Sequence, residues 1–424
     1  MSENVKKEPD IRFEGFVDDW EERKFDDSFS FPVSTNSLSR AMLNYDSGEV
    51  KSIHYGDILI KYPSILDIRR EEIPFITSGT LEKYKENILV NGDLIFADAA
   101  EDETVGKAVE IHGITDEYIV SGLHTIVARA SQQNAKYFLG YYINSDNYHR
   151  QLLRLIQGSK VSAISKGNLQ KTQVTFPKEY EEQLKIGYFF KQLDNTITLH
   201  QQKLELLKKT KKGYLQKMFP KNGETVPEIR FEGFSGEWEF KPLGDLVKIS
   251  SGFTGDSLLD NGKYHLTRIE TIAKGVIDES RVGYSNIQPP DRFLLNNGDI
   301  LFSNINSLAH IGKTAIYDKG KELYHGINLL RLTPNNFMNP YFLYYQLNSE
   351  KKLRWAKSHA NQAVNQASIN QTELSKQIFM IPNTSEQDKI GMFLINLDHL
   401  IKYQQKRLDN LKYLKKSLLQ KMFI

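Results

Sequence analysis

Apolar residues step by three and four along residues 183–219: Phe190, Leu193, Ile197, Leu204, Leu207, Tyr214 and Met218, with His200 and Lys211 interrupting the stripe. Alternating steps of this kind are the heptad pattern of a helix–helix seam. The stretch has no proline before Pro220 and predicts a helix of roughly 55 Å at 1.5 Å per residue. The stripe returns as Leu394, Leu397, Ile401, Leu408, Leu411, Leu418 and Met422, now interrupted at Gln404 and Lys415. Polar residues at matching seam positions cost stability and fix register. An amphipathic helix lying along its own domain is the alternative reading of each stripe. "PKNGETVPE" after the first stripe reads as a stop and linker.

Elsewhere the pattern is mixed. "GDILI" (56–60), "GDLIFA" (92–97) and "GDILFS" (298–303) read as short strands after a Gly-Asp turn, and "KAVEI" and "TAIYD" as further strands. "NAKYFLGYYINSDNYHRQLLRLI" and "PYFLYYQLNSEKKLRWAK" read as amphipathic helices. The first is expected to begin at a cap on Asn134, the second at Asn339 with Pro340 as first helical residue.

These elements occur twice. "PDIRFEGF" at Pro9 returns as "PEIRFEGF" at Pro227, an offset of 218 (227 − 9), and residues 183–219 match 387–423 at 19 of 37 positions, an offset of 204. The difference accumulates almost wholly between Trp20 and Gly92, against Trp238 to Gly298, where almost nothing aligns. Each half is therefore a shared frame around a dissimilar insert, and units of this size are duplicated domains, not short solenoid repeats. The expected architecture is α+β: two mixed α/β domains in a pseudo-two-fold arrangement, separated by two long antiparallel coiled-coil helices. The expected bounds are 1–180, a helix and linker over 181–222, 223–383, and a second helix over 384–424.

Composition narrows the function. The chain has 424 residues and no cysteine, which excludes disulfides and thiolate metal sites. It shows no run of about 18 apolar residues and no apolar leader, so a cytoplasmic protein without a membrane partner is expected. "SLAHIGKT" at Ser307 lacks the first glycine of a phosphate loop, and no N-P-P-[FY] or D-P-P-Y run supplies a methyltransferase loop. The histidines lack metal-ligand spacing. Asp98, Glu101, Asp102 and Glu103 face "SNINSLAH" in the second copy, so they read as a variable loop, and His112 and His124 as ordinary core or surface histidines.

The net charge of +2 does not announce a nucleic-acid binder, but the charges are uneven. Residues 199–221 hold seven lysines against Glu205, and 401–424 hold six lysines and Arg407 against Asp409. The solvated face of a helix pair explains these as well as a DNA surface does. Loop-borne Arg, Lys, Asn and Tyr in the inserts suit contacts with phosphates and base edges.

The doubled "P-[DE]-I-R-F-E-G-F…W" box, the doubled "N-G-D-[IL]-[IL]-F" strand with its following "G-K", and the doubled "K-I-G…L-D…Q…L-Q-K-M-F" helix occur in order. With them the chain resembles the specificity subunit of type I restriction–modification systems. The resemblance covers essentially the whole chain. It implies two target-recognition domains that read an asymmetric, bipartite double-stranded DNA target. It also implies helices that space the domains and dock two methyltransferase subunits, with restriction and translocase subunits joining that core. The chain itself would be non-catalytic and bind no cofactor or metal; S-adenosylmethionine, ATP and Mg would serve its partners. The candidate DNA contacts are Lys61, Tyr62, Arg69, Arg70 and Lys107 in the first half. In the second they are Arg268, Arg281, Asn286, Arg292, Asn304 and Lys313. The helix seam is expected at Phe190, Leu193, Ile197, Leu204, Leu207, Leu394, Leu397, Ile401, Leu408 and Leu411. A coiled-coil scaffold that organises protein partners without reading DNA is the alternative.

Overall fold

The structure is a computed structural model that describes residues 8–156, 162–221, 223–255, 259–318, 320–363 and 366–424. The chain forms two compact units, one of residues 1–201 with 406–424, the other of residues 202–405. The boundary cuts both long helices, Tyr180–Lys217 and Thr384–Met422. Each unit thus holds the first part of one helix and the last part of the other.

In the first unit a five-stranded sheet runs in the order Phe29–Ser30, Thr125–Ala130, Leu94–Ala97, Ala108–His112, Ile65–Asp67. Its last pair is parallel and the others antiparallel. Side chains alternate across the pleat. Leu94, Phe96 and Ala108 therefore enter a core with Trp20, Phe25, Phe138, Tyr142 and Phe190. Ile95, Ala97, Val109 and Ile111 enter a second core with the insert residues Ile53, Ile58 and Leu66. The sheet is the boundary between frame and insert, which is why its strands are apolar on both faces. The insert strands Val50–Ile53, Phe75–Ile76 and Leu43–Asn44 form a further sheet, joined at its edge by Tyr118–Ser121 from beyond the insert.

The second unit repeats this plan. Val247–Ser251, Leu330–Pro334, Ile300–Phe302 and Thr314–Ile316 form an antiparallel sheet. Ile300, Phe302 and Leu332 face the frame core with Trp238 and Phe342. Leu301, Ala315 and Leu329 face Ile272, Val282 and Leu295 of the insert. Among the described residues that insert adds the two-stranded pair Tyr264–Leu266 and Gly283–Ser285, so the part of the sequence that does not align is also built differently.

The repeated opening box is a clamp. Arg12 forks onto the buried Glu182 carboxylate at 2.7 and 2.8 Å, and its backbone neighbour Ile11 donates to Lys421 O at 3.0 Å. Arg230 forks onto Glu386 at 2.7 Å, and Ile229 donates to Lys217 O at 2.9 Å. Each box ties the start of its own repeat's helix to the end of the other repeat's helix. The helix segments run antiparallel within each unit. In the first, Phe190 meets Phe423 and Asp194 meets Lys415; in the second, Tyr214 meets Phe393 and Lys211 meets Asp398. Of the expected seam, Phe190, Ile197, Leu204, Leu394 and Leu408 are buried, and Leu193, Leu207, Leu397, Ile401 and Leu411 half-buried. The two readings of the stripe coexist, because Ile186 and Phe190 also pack into the core of their own unit.

Three local expectations are corrected. "GDILI" is helical, within Tyr55–Ile60, because His54 caps it by accepting from Gly56 N at 3.2 Å. In the two true "NGD" turns the glycine has a positive φ, 92° at Gly92 and 91° at Gly298, and the aspartate accepts from the residue three before it. The segment after Asn134 starts its helix later, over Phe138–Ile143, behind Tyr137 in a left-handed conformation. Finally, both amphipathic segments break into two helices at Asn-Ser, where Ser145 and Ser349 cap a second helix. The start at Asn339 and Pro340 is as read, with Asn339 accepting from Phe342 N.

Candidate nucleic-acid interface

The frame holds its central strands by an ion pair the sequence reading missed. Arg129 forks onto the buried Asp93 at 2.7 and 2.8 Å, and Arg331 meets the buried Asp299 at 2.5 Å. The signal was present: each "NGD" turn is followed by one arginine in the "IVAR" or "LLRL" strand.

Four first-half candidates surround the loop after Ile65–Asp67. Arg69 forks onto Asp67 at 2.8 Å on both arms, which holds the Asp67 carboxyl below its usual range. Arg70 donates to Asn195 of the long helix at 2.9 Å. Both guanidinium groups are well exposed, with side chains 64% and 62% accessible. Lys61 Nζ donates to Glu72 O at 2.7 Å and lies over the Tyr45 ring. Tyr62 is buried and donates to the same carbonyl, and burial raises its phenol. Tyr62 therefore supports the loop and offers no free edge. Arg40, absent from the candidates, forks onto the buried Asp57 and contacts Tyr45; nothing in its sequence context marks it.

Lys107 and Lys313 are one device used twice. Lys107 Nζ donates to Leu59 O and Tyr62 O at 3.1 and 3.2 Å, and burial lowers its pKa. Lys313 Nζ donates to Ala273 O at 3.0 Å. Both amines brace the insert against the frame from the residue after a left-handed glycine. That accounts for the repeated "GK" without a phosphate.

In the second unit, Arg268 lies along Gly283, where a Cβ would come within 2.4 Å of its Nε. It lines a small cleft with Phe253, Leu266, Tyr284 and Ile327. Arg281 is 3.7 Å from Asp278, Arg292 lies over Phe293, and Asn286 Oδ1 accepts from Lys263 N at 3.4 Å. Asn304 Nδ2 donates to Ile369 O at 3.3 Å, and its side-chain Oδ1 is buried without a hydrogen-bond partner. Among the described residues no group of three His, Asp or Glu side chains is placed to hold a metal ion, and no helix is long and apolar enough to cross a membrane.

One design, a sheet with a frame core on one face and an insert core on the other, is therefore built twice in this chain. The family described as the type I restriction modification DNA specificity domain matches residues 17–209 and 235–413, and the chain belongs to it. A putative type I restriction enzyme MjaX specificity subunit from Methanocaldococcus jannaschii is 42% identical over 193 residues, 44% of this chain and 45% of the relative. The MjaVIII specificity subunit of the same organism is 25% identical over 280 residues, 62% of this chain and 64% of the relative. These matches span about half to under two thirds of the curated relatives. The fold is that of the type I S subunit from M. genitalium, with a TM-score of 0.61 at 14% identity over 98% of this chain and 99% of that one.

Proposed function

We propose that this chain is the DNA-reading subunit of a type I restriction–modification complex and reads a bipartite, asymmetric target with one insert per half-site. One observation carries the reading: a shared frame is written twice around two inserts that differ in sequence and in strand topology. Identical heads related by symmetry would read a palindrome; unlike heads suit unlike half-sites. Exposed apolar side chains along the long helices support docking of two methyltransferase subunits there: Leu199, Leu206, Tyr403 and Tyr413 are 60–77% accessible. S-adenosylmethionine, ATP and Mg belong, in this reading, to the methyltransferase and translocase partners, and this chain contributes recognition and positioning. The experiment is to map methylated bases in cells that carry the chain with its partners, before and after exchange of residues 21–91 for a relative's insert. One half of the methylated motif should change. A change in both halves, or DNA binding without a steep salt dependence, would count against the reading.

A further inference from the structure

Four non-glycine residues among those described have a positive φ, and two of them stand at the same place in the two units: His124 at 54° and Asn328 at 66°. The left-handed region costs a non-glycine residue about 1 kcal/mol or more, and strain kept twice in unlike heads points to use. Both residues are exposed. Ala97 pairs with Thr125 in one unit and Phe302 with Leu330 in the other. Continued outward, the same registers set Asp98 opposite His124 and Asn304 opposite Asn328.

The backbone here is pinned to the insert in both units. Gly122 N donates to Ile53 O at 2.8 Å, and Gly326 N to Thr267 Oγ1 at 2.9 Å. A Cβ on Gly122 would lie 2.6 Å from Ile53 O, and one on Gly326 2.1 Å from Thr267 O. Only glycine permits that approach, so the tip has one position while the side chains after it differ. In the first unit His124 Nδ1 is 3.2 Å from Asp98 Oδ1, and the Tyr55 ring stands edge-on at 5.2 Å. A carboxylate only accepts, so Nδ1 carries the proton, and in the tautomer this selects Nε2 is an acceptor.

The geometry points to His124 and Asn328 as the base-reading residues at the junction of frame and insert, an inference that rests on the DNA-reading function proposed above and names its chemistry. His124 Nε2 accepts from an exocyclic amino group in the major groove, adenine N6 or cytosine N4; Asn328, with a donor and an acceptor, pairs with adenine. Asp98 is a positioning residue that fixes the imidazole tautomer.

The test uses the full chain with its partners in cells, reading the methylated motif base by base. H124N keeps a residue that tolerates the left-handed backbone, and H124G keeps the backbone without a side chain. Each should change discrimination at one base of one half-site by on the order of tenfold or more, with the other half untouched. N328H should do the same in the other half. D98A should relax the His124 base, while D98N, which can still accept from Nδ1, should retain it; a purely structural role would not produce that rescue. An unchanged motif in H124N and H124G, or an equal loss at every base, overturns the assignment. A wild-type complex with no bipartite motif would overturn the DNA-reading function itself, and this inference with it.

Discussion

Phe423 stacks on Phe190 with ring centroids 5.7 Å apart and planes 20° from parallel. The two residues are 233 positions apart, yet they sit in one core with Trp20, Phe138 and Tyr142. Phe219 does the same in the second unit, 5.4 Å from Phe342 and 6.3 Å from Trp238.

Truncating Phe423 to alanine removes a fully enclosed ring and should destabilise the first unit by about 3–5 kcal/mol. Scanning calorimetry should show one unfolding transition moving down while the transition of the second unit stays in place.

Asp194 joins two groups, Tyr141, which donates to it at 2.8 Å, and Lys415 at 2.5 Å, and the Lys415 amine also lies over the Tyr141 ring. The set recurs as Asp398, Tyr345 and Lys211. Burial, then Asp194, raises the Tyr141 phenol, so it stays a donor. A double-mutant cycle of Asp194→Asn and Lys415→Met should give a coupling of about 1 kcal/mol or more. Additive effects would show the pair to be incidental.

Lys352 occupies the place that Tyr148 fills in the first unit, buried over the Phe379 ring and bonded to Ile378 O. Burial lowers its pKa to about 7 from 10.5. Between those values the unfolded chain holds a proton that the native one lacks, so stability should rise with pH through that window, and the penalty is fully present below it. Lys352→Met should raise the melting temperature at neutral pH and flatten this rise. A melting temperature that falls in the variant would refute the account.

Lys107→Met and Lys313→Met should each cost about 1–3 kcal/mol of stability, from carbonyls left without their donor. The salt slope of DNA binding should not move. Arg70→Ala, at an exposed guanidinium bonded to Asn195, should instead change melting little and alter binding. A lowered slope in either lysine variant would return these residues to the phosphate-contact role.

The long helices were legible because a period of 3.5 persists over enough residues to outvote local exceptions, and the strands after "NGD" because a turn signal precedes the apolar run. "GDILI" was not, because a short apolar run fits either element and a histidine cap decided it. The Asn-Ser breaks were overlooked because apolar spacing continues across them, although serine is a common cap. The bracing role of Lys107 and Lys313 was hidden for another reason: a lysine's partners are carbonyls, which leave no trace in side-chain identity. His124 looked ordinary, since a backbone angle is not written in a residue's type.

The division of the long helices between units sets an order of events during synthesis. The second unit is one continuous stretch, residues 202–405, whereas the first needs residues 406–424 to fill its core. Although domains generally form from the N-terminus onward as the ribosome proceeds, here the earlier-made unit is sealed last. Until Met422 and Phe423 emerge, Trp20, Phe138 and Phe190 lack their covering partner, and the nascent first unit is a natural client for chaperones.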